Sequence, residues 1–229
     1  MRGFLLTMLF VCLGITQSSA QLPSEGYWCS IGFVGFSNFF GNQLGVGKSY
    51  YTGDSNRIGF HPSINMATVG SFKPVTFADT RFSNESEQDL LKTKAGFILR
   101  GNLRIDISYH INKKFTVGVG TDLLGLSDTR LGKGTFIPSE KSKLDGPTRI
   151  DTEAEVKASR INVWSANGKG RGSWQSDIWV LQKRDVLSLK HSVSWMQNQL
   201  TTLDVTGLSG NKVFNYQTVT LGVAVIWKQ

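Results

Sequence analysis

Phe97-Ile-Leu-Arg-Gly-Asn-Leu-Arg-Ile-Asp-Ile-Ser-Tyr-His-Ile111 carries the clearest structural period of the chain. Its odd positions read Phe97, Leu99, Gly101, Leu103, Ile105, Ile107, Tyr109 and Ile111, whereas its even positions read Ile98, Arg100, Asn102, Arg104, Asp106, Ser108 and His110. Successive side chains of a strand point to opposite faces, so one face here is almost wholly apolar and the other carries Arg100, Arg104, Asp106 and His110. A helical period of 3.6 would mix the two sets.

The same period runs outward in both directions. After the polar break Asn112-Lys113-Lys114, Phe115, Val117, Val119 and Leu123 alternate with Thr116, Gly118, Gly120 and Asp122, which predicts an antiparallel hairpin. Val219, Leu221, Val223, Val225 and Trp227 alternate with Thr220, Gly222, Ala224 and Lys228; Leu187, Leu189, Val193 and Trp195 alternate with Ser188, Lys190, Ser192 and Ser194. Upstream, Ile58, Phe60, Ile64 and Met66 face away from Gly59, His61, Ser63 and Asn65, and Tyr27, Cys29, Ile31 and Phe33 face away from Trp28, Ser30, Gly32 and Val34. Two fainter segments complete the set: Gln43 to Tyr51, with Leu44, Val46 and Tyr50 interrupted by Lys48, and Trp174 to Gln182, with Ile178 and Val180 opposite Asp177 and Trp179.

Eight segments result, and their connections alternate in length. Breaks at 53–56, 112–114 and 183–185 are short, whereas 76–92, 127–171 and 201–213 are long. This is the habit of an up-and-down transmembrane β-barrel with short periplasmic turns and long extracellular loops. Soluble barrels alternate too, and a soluble periplasmic or secreted barrel holding a small apolar ligand is the competing reading. The small and polar residues Gly118, Gly120, Ser192, Ser194 and Gly222 recur on the charged faces, as a narrow lumen requires, and aromatics bracket the apolar faces, as interfacial girdles require. Within the long stretch 127–171, Arg149 to Ala158 and Arg160 to Ser165 are β-prone and are expected to extend the strands above the membrane as a hairpin; a ten-stranded barrel stays open.

Tyr109-His-Ile-Asn-Lys-Lys-Phe115 with Val117-Gly-Val-Gly-Thr-Asp-Leu-Leu-Gly125, the block Gly172-Ser-Trp-Gln-Ser-Asp-Ile-Trp179 and the terminal Leu221-Gly-Val-Ala-Val-Ile-Trp227 resemble the porin-like outer-membrane β-barrel proteins of bacterial envelopes. The resemblance covers most of the chain after Ser30. It implies a barrel in a Gram-negative outer membrane and insertion by the outer-membrane machinery, and it allows a place in a larger envelope assembly. It carries no shared catalytic residues. The final strand departs from the family habit of ending on an aromatic residue, because Lys228 and Gln229 follow Trp227.

Targeting and composition agree with export. Residues 1–20 read as a signal peptide, with Arg2, the apolar run Phe4 to Ile15, and Ser18-Ser19-Ala20 before the cut; residues 21–229 then form one barrel domain. Cys29 would be the sole thiol of the mature chain, so no internal disulfide is expected. No later segment reaches the roughly 18 apolar residues of a transmembrane helix. The net charge of +8 suits the anionic phosphates of outer-membrane lipid and lipopolysaccharide better than nucleic acid, for which no zinc-finger spacing or basic helix is present.

Arg100, Arg104, Asp106 and His110 share the inward face of one strand, and Asp122, Asp177 and Lys190 are expected to join them from others. An eight-stranded barrel is just wide enough for side chains to fill, so opposite charges there would pair into a plug, with a proton or ion path as the alternative. His61, His110 and His191 lack metal-ligand spacing, and neither metal nor cofactor is expected. His191 falls on an apolar face, and Pro62 predicts a bulge or ladder break. A lipid-modifying enzyme is a further alternative, but no G-x-S-x-G elbow occurs. The expected role is therefore non-enzymatic: envelope structure or surface interaction, with any protein partner docking on the extracellular loops.

Overall fold

The computed structural model describes residues 25–36, 39–52, 57–71, 75–79, 89–94, 96–129, 133–138, 152–162, 172–184, 187–203 and 213–228. The expected signal peptide and much of the 127–171 stretch lie outside the described residues. Strands follow in the order β1 (Gly26–Phe36), β2 (Phe39–Thr52), β3 (Ile58–Ser71), β4 (Val75–Asp79), β5 (Leu90–Thr93), β6 (Gly96–His110), β7 (Phe115–Thr129), β8 (Lys133–Ile137), β9 (Thr152–Ala158), β10 (Ile161–Asn162), β11 (Trp174–Lys183), β12 (Leu187–Leu203) and β13 (Val213–Lys228). Among the described residues there is no helix.

Eight of these strands make a closed wall. Antiparallel ladders join β1 to β2, β2 to β3, β3 to β6, β6 to β7, β7 to β11, β11 to β12 and β12 to β13, and the β13–β1 ladder closes the ring. Closure satisfies the strand edges, which hydrocarbon requires because it offers no hydrogen bonds. The polarity of the wall is that of a transmembrane barrel. Ile178 is 68% exposed on the outside, whereas Asp122 is 1% exposed on the inside. A soluble barrel holding an apolar ligand would bury the first and wet the second.

Two irregularities interrupt the ladders of the wall, and the first of them shifts its phase. The β6–β7 register slips between Leu103/Leu124 and Arg104/Asp122, leaving Leu123 as an extra residue in β7. Below this bulge the odd residues Phe115 and Val119 face out; above it the even residues Leu124 and Leu126 do, so the bulge keeps each apolar side chain toward the hydrocarbon. At Pro62 the outcome is a break without a bulge. Gly47 pairs with Ser63 and Tyr50 with Phe60 in one register, but the two pairs between them are missing from the ladder. A proline has no N–H to donate there.

Above the wall the long connections fold into a cap. β9 pairs with the upper end of β12, β4 with the upper end of β13, and the β4–β5, β5–β8 and β8–β9 ladders complete a second ring of six strands that shares the β12–β13 hairpin. Of the five strands outside the wall, β4, β5, β8 and β9 therefore sit over the mouth, and none widens the barrel to ten. The expected hairpin within 149–165 does not form: β9 pairs with β12 and β10 with β7, because each is drawn to an open edge of the wall. The cap has an apolar interior of Leu91, Phe136, Val156, Leu200 and Phe214, continuous with Val69, Ile98 and Met196 from the barrel strands. Full burial of a side chain of this size contributes about 1.5–3 kcal/mol.

Candidate functional site

The lumen is built from the even residues of β6 and from the positions its neighbours bring opposite them. Arg104 lies at its centre. Its Nε donates to Asp106 Oδ2 at 3.0 Å, its Nη1 to Asp122 Oδ1 at 3.4 Å, and its Nη2 to Asp177 Oδ1. Arg100 Nη2 meets Asp122 Oδ2 at 2.9 Å, and Asn102 Nδ2 donates to the other oxygen of the same carboxylate. Lys190 Nζ stands 3.2 Å from Asp106 Oδ1 and 3.9 Å from Asp177 Oδ2, and 4.7 Å from the centre of the Trp179 ring. Three cations thus face three carboxylates contributed by β6, β7, β11 and β12.

Glycine makes room for the network. A Cβ at Gly120 would overlap the Arg104 guanidinium and the Asp106 carboxylate, and one at Gly118 would overlap the Trp179 indole. With that space, Trp179 Nε1 donates to Asp106 Oδ1 at 2.7 Å. Removing ions from water is costly unless each keeps its partners, and here the carboxylates are held by several donors each.

The structure brings together Arg100, Arg104, Asp106, Asp122, Asp177 and Lys190. His110 lies apart, nearer the short-turn rim, where its Nδ1 meets Thr116 Oγ1 and sits 3.0 Å from Lys183 Nζ, with Tyr51 at 5.1 Å between ring centres. Trp179, Asn102, Gln175 and Lys183 join the lumen beyond the residues expected there. Strand parity carries a signal for Trp179, which stands on the same face as Asp177. Lys183 falls in the expected turn 183–185, and β11 runs one residue further than the expected strand to include it.

His61 completes the lower lumen. Its Nδ1 is 2.9 Å from Ser49 Oγ and its Nε2 is 2.7 Å from Ser108 Oγ, so both ring nitrogens meet serine hydroxyls. Two cavities of about 50 Å³ flank the network, one beside His61, Tyr51 and Trp28, the other beside Gln43, Asn65 and Asp177. Each is large enough to hold ordered water, which needs on the order of 10–15 Å³ of such space. Among the described residues no three His, Cys, Asp or Glu side chains converge as a metal ion would need.

At the mouth, Gly172 fastens the long connection to β12. Its φ of 125° is a left-handed conformation that favours glycine. Gly172 N donates to Gln199 Oε1 at 2.8 Å, Gln197 Nε2 donates to Gly172 O at 3.1 Å, and Gln199 N donates to Ser173 Oγ at 3.0 Å. The cap's outer surface mixes charges, with Lys92, Lys94, Lys133, Lys157 and Arg160 beside Glu153 and Glu155. Lys133 Nζ lies 3.0 Å from Glu153 Oε2 and, as a hydrogen-bonded cation, holds that carboxyl below the usual range.

The sequence matches no protein-family model and no curated protein. Among solved structures, the chain is similar to a major outer membrane protein from Thermus thermophilus, with 11% identity over 90% of this chain and 100% of that one and a TM-score of 0.43. It is also similar to an outer membrane channel from Pseudomonas putida, with 8% identity, 94% and 100% coverage and a TM-score of 0.27. The CymD monoaromatic hydrocarbon channel shows 6% identity, 91% and 89% coverage and a TM-score of 0.23.

Proposed function

We propose that the protein is a non-enzymatic, non-conducting barrel of the outer membrane that holds a folded cap above the lipid as a surface for an envelope partner. The observation that carries this reading is Arg104, which ties carboxylates of the adjacent strands β6, β7 and β11 together inside the lumen. Among the described residues, a network with three charges of each sign occupies the lumen, and two small cavities of about 50 Å³ lie beside it. A partner would meet the cap's mixed-charge exterior, since a rigid scaffold that positions connecting segments is a common basis for recognition. Lipopolysaccharide phosphates are the natural counter-charge for its lysines, and the insertion machinery would read the last strand.

Planar-bilayer recording of the purified protein tests the reading. It predicts silence apart from brief events, and a large stable current would defeat it. Recovery in the detergent-extracted outer-membrane fraction, with heat-modifiable gel migration, is the expected cellular behaviour.

A further inference from the structure

We propose that the outer face of β1, β2 and β3 binds one anionic glycerophospholipid of the leaflet at the short-turn rim, with its phosphate on Lys48 and an acyl chain in the groove beside it. The proposal rests on the transmembrane reading of the wall. A groove of about 650 Å³ crosses this face, lined by Tyr27, Val46, Pro62, Ile64, Leu103 and Trp227 among others. Most of these side chains point at lipid: Tyr27 is 65% exposed, Val46 55% and Ile64 56%.

The groove has a local cause. At the outward positions where aliphatic side chains would fill the wall, β3 carries the low ring of Pro62, and β2 carries Lys48, whose ammonium turns aside. Lys48 Nζ lies 4.7 Å from the centre of the Tyr50 ring and 5.6 Å from that of Tyr27. The cation is therefore held at the aromatic girdle, where a long lysine reaches the headgroup level. From there the register climbs. Val46 pairs with Ile64, and Ile64 with Leu103, the midpoint of β6, so the groove leads from the rim to the middle of the hydrocarbon. A headgroup at one end and a chain along the slope match its charge and its apolar lining.

The rim around Lys48 favours an anionic headgroup over a zwitterionic one. Arg57, Lys113 and Lys114 are exposed at the same end of the barrel. A basic residue near an anionic surface strengthens lipid binding about fivefold, which is about 1 kcal/mol.

Native mass spectrometry of the full protein, folded in micelles doped with equal phosphatidylglycerol and phosphatidylcholine, tests the site. One phosphatidylglycerol is expected to be retained about fivefold over phosphatidylcholine. K48M should remove most of that preference, I64W should expel both lipids from the groove, and L126W, outside the groove, should change nothing. Equal retention by the wild type, an unchanged preference in K48M, or a dimer that I64W dissolves would overturn the proposal, provided that gel migration remains heat-modifiable. Loss of heat-modifiable folding in the wild type would instead refute the membrane reading beneath it.

Discussion

The two halves of β12 form one uninterrupted strand with opposite chemistry. In the lower half Leu187, Val193 and Trp195 face outward while Ser188, Lys190 and Ser194 face inward. In the upper half Met196 and Leu200 face inward at 1% and 0% exposure, with the buried Asn198 between them, and the alternate residues are Gln197 and Gln199. The register with β13 runs unbroken from Leu187/Trp227 to Thr201/Val213, so no slip separates the halves. The side-chain period is constant, while the large apolar side chains move from the outer face to the inner one. What changes is the medium outside: hydrocarbon around the wall, protein and water around the cap. Val69 and Ile98 mark the same level on β3 and β6, where inward residues turn from polar to apolar.

The contrast can be broken from the lumen first. Arg104→Ala would leave Asp106, Asp122 and Asp177 facing one another, and a loss of about 3–5 kcal/mol is expected in urea unfolding of the barrel in lipid. Adding Asp122→Asn and Asp177→Asn to that variant should recover much of the loss, whereas no recovery would show that packing, and not charge, holds the lumen. On the outer wall, Leu103→Arg places a charge near mid-membrane and should cost about 2–4 kcal/mol by the same measurement.

In the cap, Leu91→Ala should cost about 2–3 kcal/mol, the lower part of the range for a core leucine because a short connecting strand can relax. Limited proteolysis should report this as faster cleavage of the cap while the wall stays heat-modifiable; joint collapse would mean the cap and wall are a single cooperative unit. The smallest effect belongs to Lys133→Ala. The folded carboxyl of Glu153 is depressed by Lys133, so its contribution is present at neutral pH and fades as pH falls through that depressed value. Both groups are exposed, and cap proteolysis at pH 7 is expected to be indistinguishable from wild type.

The wall is legible in the sequence because its signal is redundant. Eight segments with one period each bury one face, and Phe97 to Ile111 alone assigns fifteen side chains to two media. The lumen residues are legible through parity: Arg100, Arg104 and Asp106 share a face by number, and Asp122, Asp177 and Lys190 stand on the matching faces of their own strands. His110 shares that parity but sits lower, at a height where Lys183 and Thr116 are its neighbours. Parity gives the face of a residue and leaves its partner across the lumen undetermined, since that depends on strand stagger.

The cap is legible only as β-prone fragments. Thr152 to Ala158 alternates well enough to be a strand, yet its partner in the wall is the far end of β12, well downstream, and nothing local distinguishes that edge from β10. The bulge at Leu123 is hidden for a related reason: Leu123-Leu124-Gly125-Leu126 can be read in either phase until the opposite strand fixes it.

Residue order alone separates side chains onto opposite faces, because pleating makes that a property of residue number. Tertiary structure decided which face met lipid or protein at each height, which ions met across the lumen, and which strand edges the loops covered. Those outcomes depend on closure of the ring, its stagger and the surrounding medium, none of which is written in any single segment.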